Sequence, residues 1–492
     1  MKSLLSLLLF FAFSSAFGQL EQTKRIEFEH NPNIDEEHQV IPLGENGVLL
    51  LHSKVEVYRK NMTLNFYKYD TTLTENWHAT YDTQDRFELV RTFHNQHFLY
   101  LLFRQEESVN ISILRLDFDS GDKSFTEGKI PANMDIEQFV VLKSKAFIGG
   151  KFNERPVVVA YSLFDNSSKV LPELHANNLI INDLDINENT ENVFVMLKNE
   201  RNCQFILKTF SYEGKLLSSA ILGEKSKNPI SGKILQIQSD EMLMTGNYAS
   251  GCTEFSEGIY LHHLGQGKTQ FINFSELSNF FKYLKPKREQ KIKAKISLKK
   301  QKGKEMKFQY RLLLHDIIPQ ENGFLMVAEI FYPEYKPPSN IMFNSLRSYR
   351  IGTDVYNNFR YTHAIICKFD KTGKLLWDNS FGLENLESDI LNQKVQITPT
   401  GDFFVMAFPK GGLIRAELIK GGENVKEIES FSLKTNSEEE KIADTNKTNL
   451  AAWYNKHFLA YGYQTLRKDK GFSANRDVFY MNKLSYAMKN VE

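Results

Sequence analysis

The sequence predicts an all-β fold, a β-propeller of eight four-stranded blades. From residue 23 onward, short runs rich in Val, Ile, Phe and Tyr are separated by Gly, Asn and Asp turns, a pattern typical of consecutive strands. The same strand–turn unit recurs eight times, at intervals of roughly 40–50 residues, which is the spacing of propeller blades. One spare strand near the start of the chain matches a strand that the last unit lacks.

The clearest unit is the hairpin within Tyr361–Gly382, YTHAIICKFDKTGKLLWDNSFG. An apolar strand covers Thr362–Phe369, a turn covers Asp370–Gly373, and the chain returns from Lys374. Asp tolerates turn geometry and Gly supplies a residue with positive φ, so this sequence predicts a tight turn.

The second and third strands of the eight units can be aligned. The predicted second strands are Gly47–His52, His97–Phe103, Lys145–Phe152, Asn192–Leu197, Glu241–Tyr248, Gly323–Phe331, Asp402–Phe408 and His457–Tyr463. The predicted third strands are Leu64–Tyr69, Ser112–Phe118, Val157–Leu163, Gln204–Phe210, Gly258–Leu264, His363–Phe369, Leu413–Ile419 and Val478–Leu484.

The eighth unit has no fourth strand after Ala487, and the strand Arg25–His30 has no unit of its own. We therefore expect Arg25–His30 to be the outer strand of the last blade, which closes the ring and removes exposed sheet edges. Two alternatives remain open at this point. One is a seven-bladed ring with one unit misassigned, and the other is a two-domain β protein divided near the basic insert described below.

Residues 1–18 have the pattern of a secretory signal peptide: a basic start, the apolar run Leu4–Phe13 and a small-residue exit. Cleavage is predicted between Gly18 and Gln19, which leaves 19–492 as the propeller. The apolar run is too short to span a bilayer, and no later run approaches the required length. We expect an exported protein with no transmembrane segment of its own, in the periplasm or peripheral to the outer membrane.

Two inserts interrupt the repeat, at 275–311 between blades 5 and 6 and at 332–361 between the second and third strands of blade 6. Connections of these two kinds leave a propeller on the same side, so both inserts are expected to stand on one face. Between Lys282 and Arg311 there are thirteen Lys or Arg residues and two Glu, a local charge of +11, which leaves about −10 for the rest of a chain of net charge +1.

The basic insert predicts an acidic protein partner, and it is also compatible with contact to anionic lipid. The predicted partner-binding residues here are Lys285, Lys287, Arg288, Lys291, Lys293, Lys295, Lys299 and Lys300. The alternative is a solvated loop without a partner. Phe280, Phe281, Tyr283 and Leu284 precede Pro286 and predict either a short amphipathic helix or a cap on the propeller core.

The second insert combines Tyr and Arg, the residues enriched in interface hot spots. Its predicted partner-binding residues are Tyr335, Phe343, Arg347, Tyr349, Arg350 and Tyr356. The alternative is a loop folded on its own aromatic side chains. The basic loop Arg467–Arg476 of blade 8 is expected on the same face.

Cys203 and Cys252 fall in second-to-third-strand loops of neighbouring blades, which predicts a disulfide in an oxidising compartment. Cys367 lies within an apolar strand and is expected to be buried. No pattern predicts a catalytic group, a metal site or a cofactor: His262 and His263 point to opposite sides of a strand, and Asp183–Asn189 lacks the Gly of a calcium loop. Nucleic acid is disfavoured by the export signal.

The segment Phe369–Trp377, FDKTGKLLW, resembles the Asp-x-x-Gly-x-x-x-Trp hairpins of propellers related to the quinoprotein (PQQ-like) family, and Tyr212–Leu217 is similar without the Trp. The resemblance implies propeller architecture. Nothing in the sequence matches the cofactor or calcium residues of that family. The export signal and the Lys/Asn/Phe-rich composition resemble secreted envelope proteins of the Bacteroidetes.

These patterns together favour a non-catalytic protein-interaction module of the cell envelope, a subunit of a transport or secretion assembly. Two other classes remain as alternatives. One is a glycan-binding or glycan-acting propeller that uses Trp77, Trp377 or loop tyrosines near the central pore, and the other is a quinoprotein-like oxidoreductase.

Overall fold

The computed structural model of the 492-residue chain describes residues 19–56, 61–84, 86–224, 226–238, 241–334, 358–425, 429–468 and 475–487. It is an all-β ring of eight antiparallel, four-stranded blades. The predicted fold class is therefore confirmed, and the seven-bladed and two-domain alternatives are wrong.

The first strand of the chain, β1 (Gln19–Glu29), belongs to the last blade. In blades 1 to 4 the strands run from the innermost to the outermost in chain order: β2 (Glu36–Pro42), β3 (Val48–Glu56), β4 (Asn61–Tyr69) and β5 (Glu75–Asp82); β6 (Phe87–His94), β7 (Phe98–Gln105), β8 (Asn110–Asp117) and β9 (Lys123–Lys129); β10 (Asp135–Leu142), β11 (Lys145–Phe152), β12 (Arg155–Ser162) and β13 (Ser168–Val170); β14 (Leu179–Asn187), β15 (Asn192–Asn199), β16 (Phe205–Ser211) and β17 (Leu216–Leu222).

In blades 5 to 8 some inner or outer strands are divided into two pieces. Blade 5 has β18 (Lys227–Pro229), β19 (Lys233–Gln238), β20 (Glu241–Ser250), β21 (Gly258–His263) and β22 (Lys268–Asn273); blade 6 has β23 (Arg311–Leu314), β24 (Ile318–Gln320), β25 (Gly323–Glu334), β26 (Asn358–Phe369) and β27 (Leu375–Ser388); blade 7 has β28 (Gln396–Thr400), β29 (Phe403–Lys410), β30 (Leu413–Lys420), β31 (Glu423–Asn424) and β32 (Glu429–Ser432); blade 8 has β33 (Glu440–Ala452), β34 (His457–Lys468) and β35 (Arg476–Ala487). The helix α1 (Pro286–Gln301) lies in the connection between blades 5 and 6, and short 3-10 turns cover Gly44–Asn46 and Phe274–Glu276.

The ring closes as the sequence predicted. β1 pairs antiparallel with β35, with Ile26 opposite Met481 and Glu29 opposite Val478, so it supplies the fourth strand of blade 8. Closure places the beginning and the end of the described chain in one sheet.

The core lies between the blades, because each sheet packs against a neighbour on both sides. In β7, FLYLLFRQ, Leu99 and Leu101 pack toward blade 1, whereas Tyr100 and Leu102 pack toward blade 3. A strand that is buried on both sides must be apolar at successive positions, which is why the second and third strands were visible in the sequence.

Antiparallel order gives the ring two different sides. We call the side of the second-to-third-strand loops and the blade-to-blade connections the insert face, and the other side the turn face. Blades 6 and 8 are taller than blade 7: β25 and β34 have 12 residues each, whereas β29 has eight. The four additional residues (12 − 8) correspond to about 13 Å of strand. The pairs Glu334–Asn358 and Glu440–Lys468 lie at the raised ends, on the insert face.

The hairpin that carries the family resemblance has a structural role. Asp370 Oδ1 accepts hydrogen bonds from the N–H of Thr372, the hydroxyl of Thr372 and the N–H of Lys374 at 2.9, 2.7 and 2.9 Å. Trp377 then packs beside Gly422 in the β30–β31 turn of the next blade.

A second copy of this turn was missed in the sequence. Asp70 Oδ1 accepts the same three bonds from Thr72 and Thr74, and Trp77 packs against Gly121 in the next blade. Leu73, with φ of 59°, stands where the other copy has Gly373. The missing Gly is the reason that the motif did not appear in the sequence.

Candidate interaction surface

The basic insert is built on the cleft between blades 5 and 6. Phe280 and Phe281 are fully buried there with Phe274 and Phe308, so their interpretation as a cap on the core is confirmed. The alternative of a short helix at these residues is wrong, because residues 280–283 form turns. The helix begins only at Pro286, a residue suited to the first helical turn.

The first part of the insert is fixed to the outer strand of blade 6. The carboxylate of Asp378 accepts hydrogen bonds from the N–H groups of Ser278 and Asn279 at 2.9 and 2.7 Å. The side-chain amide of Asn279 donates to the carbonyls of Asp378 and Gly422 at 2.8 and 3.2 Å. Since Gly422 is in a turn on the turn face, this first part of the insert lies along the rim of the ring. The prediction that the insert stands on the insert face is therefore wrong for Ser278 and Asn279.

The helix α1 presents its charges outward from a fixed base. Ile292 and Ile296 pack against the cluster between blades 5 and 6, and Glu289 pairs with Lys293 at 2.6 Å. The helix holds seven Lys or Arg residues and one Glu, a net charge of +6. Seven of the eight predicted partner-binding residues in this insert are exposed: Lys285, Lys287, Arg288, Lys291, Lys293, Lys295 and Lys300. Lys299 is half-buried.

The second insert falls outside the described residues. Tyr335, Phe343, Arg347, Tyr349, Arg350 and Tyr356 therefore stay predictions. Its borders are corrected, since β25 continues to Glu334 and β26 begins at Asn358, which leaves 335–357 between them. Arg360, which was counted within the insert, lies in β26 and pairs with Glu334 at 2.5 Å.

Arg476 does not contribute free charge to the loop of blade 8. Its guanidinium, on β35, contacts Glu27 and Glu29 of the closing strand β1 at 2.7 and 3.0 Å and Glu440 of the inner strand β33 at 3.0 Å. Burial alone would raise the pKa of Glu27, but hydrogen bonds from Arg25 and Arg476 outweigh it and lower that pKa. This cluster stabilises ring closure, and only Arg467 and Lys468 of the described loop residues remain as exposed cations.

The cysteines occupy the predicted positions. Cys203 follows β15 and Cys252 follows β20, their Cα atoms are 5.3 Å apart, and a disulfide joins them on the insert face. Cys367 is buried in β26, and burial raises the pKa of its thiol.

The buried pair of His315 and Glu329 has a structural role. His315 Nε2 lies 2.8 Å from Glu329 Oε1, which also accepts the N–H groups of Lys394 and Val395 at 2.8 and 2.7 Å. This carboxylate therefore holds the connection between blades 6 and 7. Within the described residues, no group of three His, Cys, Asp or Glu side chains is placed to hold a metal ion.

Trp77 and Trp377 lie on the outermost strands and pack between blades, and the indole N–H of Trp77 donates to the carbonyl of Phe118 at 3.2 Å. Their placement near the central pore, which the glycan alternative used, is wrong. Among the helices in the described ranges, none has the length and apolar character needed to cross a membrane.

No protein-family model matches the chain, and neither does any curated protein. Three solved structures illustrate what the chain is similar to. The β-propeller domain of the Trilobed protease from Pyrococcus furiosus is 9% identical with a TM-score of 0.35, over 80% of this chain and 93% of that one. The polysaccharide lyase Uly1 is 9% identical with a TM-score of 0.38, over 80% and 89%. Prolyl oligopeptidase B from Galerina marginata is 8% identical with a TM-score of 0.41, over 89% and 56%. These likenesses carry no information about activity.

Proposed function

We propose that this propeller is a non-catalytic protein-interaction subunit of the cell envelope, in which α1 binds an acidic surface of a partner protein. The subunit acts in the periplasm or at the periphery of the outer membrane, as part of a transport or secretion assembly. The observation that carries the proposal is the helix itself: a net charge of +6 held on a packed base with its lysines exposed.

A fixed helix recognises an acidic surface better than a flexible loop of equal charge. Because Ile292 and Ile296 anchor it, binding does not have to order the backbone, which lowers the entropic cost of association. Clustered exposed lysines also raise the rate of encounter with an anionic partner, and the effect weakens as salt screens the charges.

An acidic protein is favoured over a lipid bilayer because the apolar stripe of α1 is already used within the protein. An interfacial helix inserts a broad apolar face into the membrane. Here Ile292 and Ile296 face the ring, and of the apolar side chains in the helix Leu298 is the prominently exposed one.

Two features support the proposed compartment. The sequence begins with the pattern of an export signal. The disulfide between Cys203 and Cys252 is of a kind that persists in oxidising compartments.

The test is an affinity pull-down from native envelope membranes with a charge-reversed helix. Lys287, Lys291 and Lys295 are exposed and are changed together to Glu, which leaves the buried residues of the insert in place. At low salt, the helix variant should recover at least about tenfold less of the partner that the wild-type protein captures. The difference between the two proteins should shrink at high salt. The matched control changes three exposed lysines on blades 1, 2 and 4, Lys54, Lys129 and Lys215, to Glu.

Capture that is equal for wild type and the helix variant would move the contact away from α1. Equal losses for the helix variant and the control would mean that total charge, not the helix, governs binding. The absence of any captured protein would overturn the proposal.

A further inference from the structure

A trough crosses the insert face above blade 7, because this blade is about 13 Å lower than its neighbours. Residues 386–394 form the wall on the side of blade 6, residues 442–449 of β33 form the wall on the side of blade 8, and residues 409–412 form the floor. We call this feature the blade-7 trough.

The trough is continuous from the inner to the outer side of the blade. An inner cavity of 620 Å³ and an outer cavity of 740 Å³ share Gly411, Gly412, Ile442 and Thr445. The trough crosses the four strands of blade 7, which span three strand spacings, so it is about 14 Å long, the length of about four residues of extended chain. The shape of the trough therefore suits a narrow, elongated ligand.

The middle of the floor, Gly411 and Gly412, carries no side chain. Gly411 and Gly412 form the β29–β30 turn with φ of 58° and 76°, a conformation that favours Gly. A Cβ atom at Gly412 would lie 3.2 Å from the hydroxyl of Thr445 and would narrow the trough. A ligand can approach the backbone closely here.

One wall offers free backbone positions. The pairing of β33 with β34 shifts register between Ile442 and Asp444 and again between Thr445 and Lys447, so Ala443 and Asn446 have no partner in the ladder. Both residues line the inner cavity and are exposed. Bulged residues of this kind leave N–H and C=O groups available to an added extended chain.

The charges that line the trough are balanced. The inner cavity has three basic residues (Lys394, Lys410 and Lys447) and three acidic ones (Glu387, Asp389 and Asp444), a net charge of zero. The outer cavity has Lys434 and Lys441 against Glu438 and Glu440, again zero. A neutral lining argues against a polyanionic ligand, whereas the basic helix α1 favours an anionic one.

The lining also argues against a sugar, because no aromatic ring is among the residues of the two cavities, and stacking surfaces are what carbohydrate sites usually provide. Ile390 is 50% exposed on the wall of blade 6, where it can contact one apolar side chain. We propose that the blade-7 trough binds an extended, uncharged peptide segment of a partner protein, through backbone hydrogen bonds to β33. This site is separate from α1.

A display of random heptapeptides on phage, selected with the purified full chain, tests the proposal. Selection at about 0.5 M salt suppresses electrostatic binding to α1, so the result is independent of the pull-down described above. The blocking variant is Asn446→Trp, which places an indole in the inner cavity at an exposed position. The control is Lys456→Trp, which adds the same group to an exposed turn of the same blade on the turn face.

We expect enriched peptides whose synthetic forms bind wild type and Lys456→Trp equally, and bind Asn446→Trp at least tenfold more weakly. The same peptides should slow amide hydrogen exchange in residues 442–449 of the wild-type protein, a measurement that does not depend on the folding of the variant. No enrichment above a selection without protein would overturn the proposal. Equal binding to the blocked variant, or protection elsewhere than in 442–449, would overturn it as well.

Discussion

Glu417 should destabilise the folded protein at neutral and alkaline pH, and its replacement by Gln should therefore stabilise it. Glu417 lies on β30, is only 6% exposed and stands opposite Met406 in the packing between blades 6 and 7. Burial raises the pKa of its carboxyl to about 7, although the charge of Lys282 and a hydrogen bond with Asn424 act in the opposite direction. Its Oε2 has no hydrogen-bond partner among the described residues.

The magnitude follows from the pKa difference between the two states. The carboxyl titrates near 4.5 in the unfolded chain and near 7 in the folded one, and each pH unit of difference is worth about 1.4 kcal/mol. The folded state holds the proton more tightly, so stability is highest below about pH 4.5 and falls as the pH rises to about 7. Above about pH 7, the buried carboxylate lowers the free energy of unfolding by a constant amount of about 3 kcal/mol.

Glu417→Gln removes the titration, so we expect a gain of about 3 kcal/mol in the free energy of unfolding at pH 8.5 and a gain near zero at pH 4.5. Urea unfolding at both pH values, followed by tryptophan fluorescence, measures this difference. Glu423→Gln is the control, because Glu423 is exposed in the next strand piece of the same blade. An equal gain at both pH values would attribute the effect to packing, and a loss at pH 8.5 would mean that the buried carboxylate is well compensated by its surroundings.

Two further predictions concern the joints of the ring. Cys203→Ala with Cys252→Ala opens a loop of 49 residues, for which chain entropy predicts a loss of at most about 4 kcal/mol; a reducing agent should lower the unfolding midpoint of wild type similarly and leave the variant unchanged. Arg476→Met should cost about 1–2 kcal/mol at pH 7, discounted because Arg476 is partly exposed. Glu27 has a lowered pKa in the folded state, so the cost of the substitution is present at pH values above about 4.5, the pKa of this carboxyl in the unfolded chain. The cost should vanish in unfolding experiments as the pH falls below the pKa of the folded state. A cost that is independent of pH would assign the effect to packing.

The propeller was predictable because its main physical requirement, burial of the middle strands, produces short apolar runs in the sequence. Each middle strand is buried on both sides, as Leu99 to Leu102 show, and such runs are recognisable without knowledge of their neighbours. The closing strand was predictable for a different reason: an incomplete last blade needs a partner for its edge.

The helix α1 was not predictable from its own sequence. Its inward stripe consists of little more than Ile292 and Ile296, which is too narrow to distinguish a packed helix from a solvated basic segment. Its place is decided by contacts distant in sequence, above all by Asp378, whose carboxylate holds the chain that leads into the helix.

The blade-7 trough was also hidden, because it depends on differences in strand length among three blades. The prediction ended the second strand of blade 8 at Tyr463, whereas β34 continues to Lys468. Apart from Leu466, the additional residues are polar or charged, and a sequence pattern locates the end of such a strand poorly. The depth of the trough depends on these strand extensions in neighbouring blades, so it can be determined only from the structure of the assembled ring.

The two proposed contacts are on opposite sides of blade 6. The helix α1 packs where blade 6 meets blade 5, and the trough begins where blade 6 meets blade 7. A basic helix suits an acidic folded surface, and a neutral trough suits an extended segment. A partner that has an acidic surface and an extended segment could therefore bind both sites. Their chemistry also separates them in experiment: binding through α1 must weaken with salt, whereas backbone hydrogen bonding in the trough must persist at salt concentrations that screen the lysines.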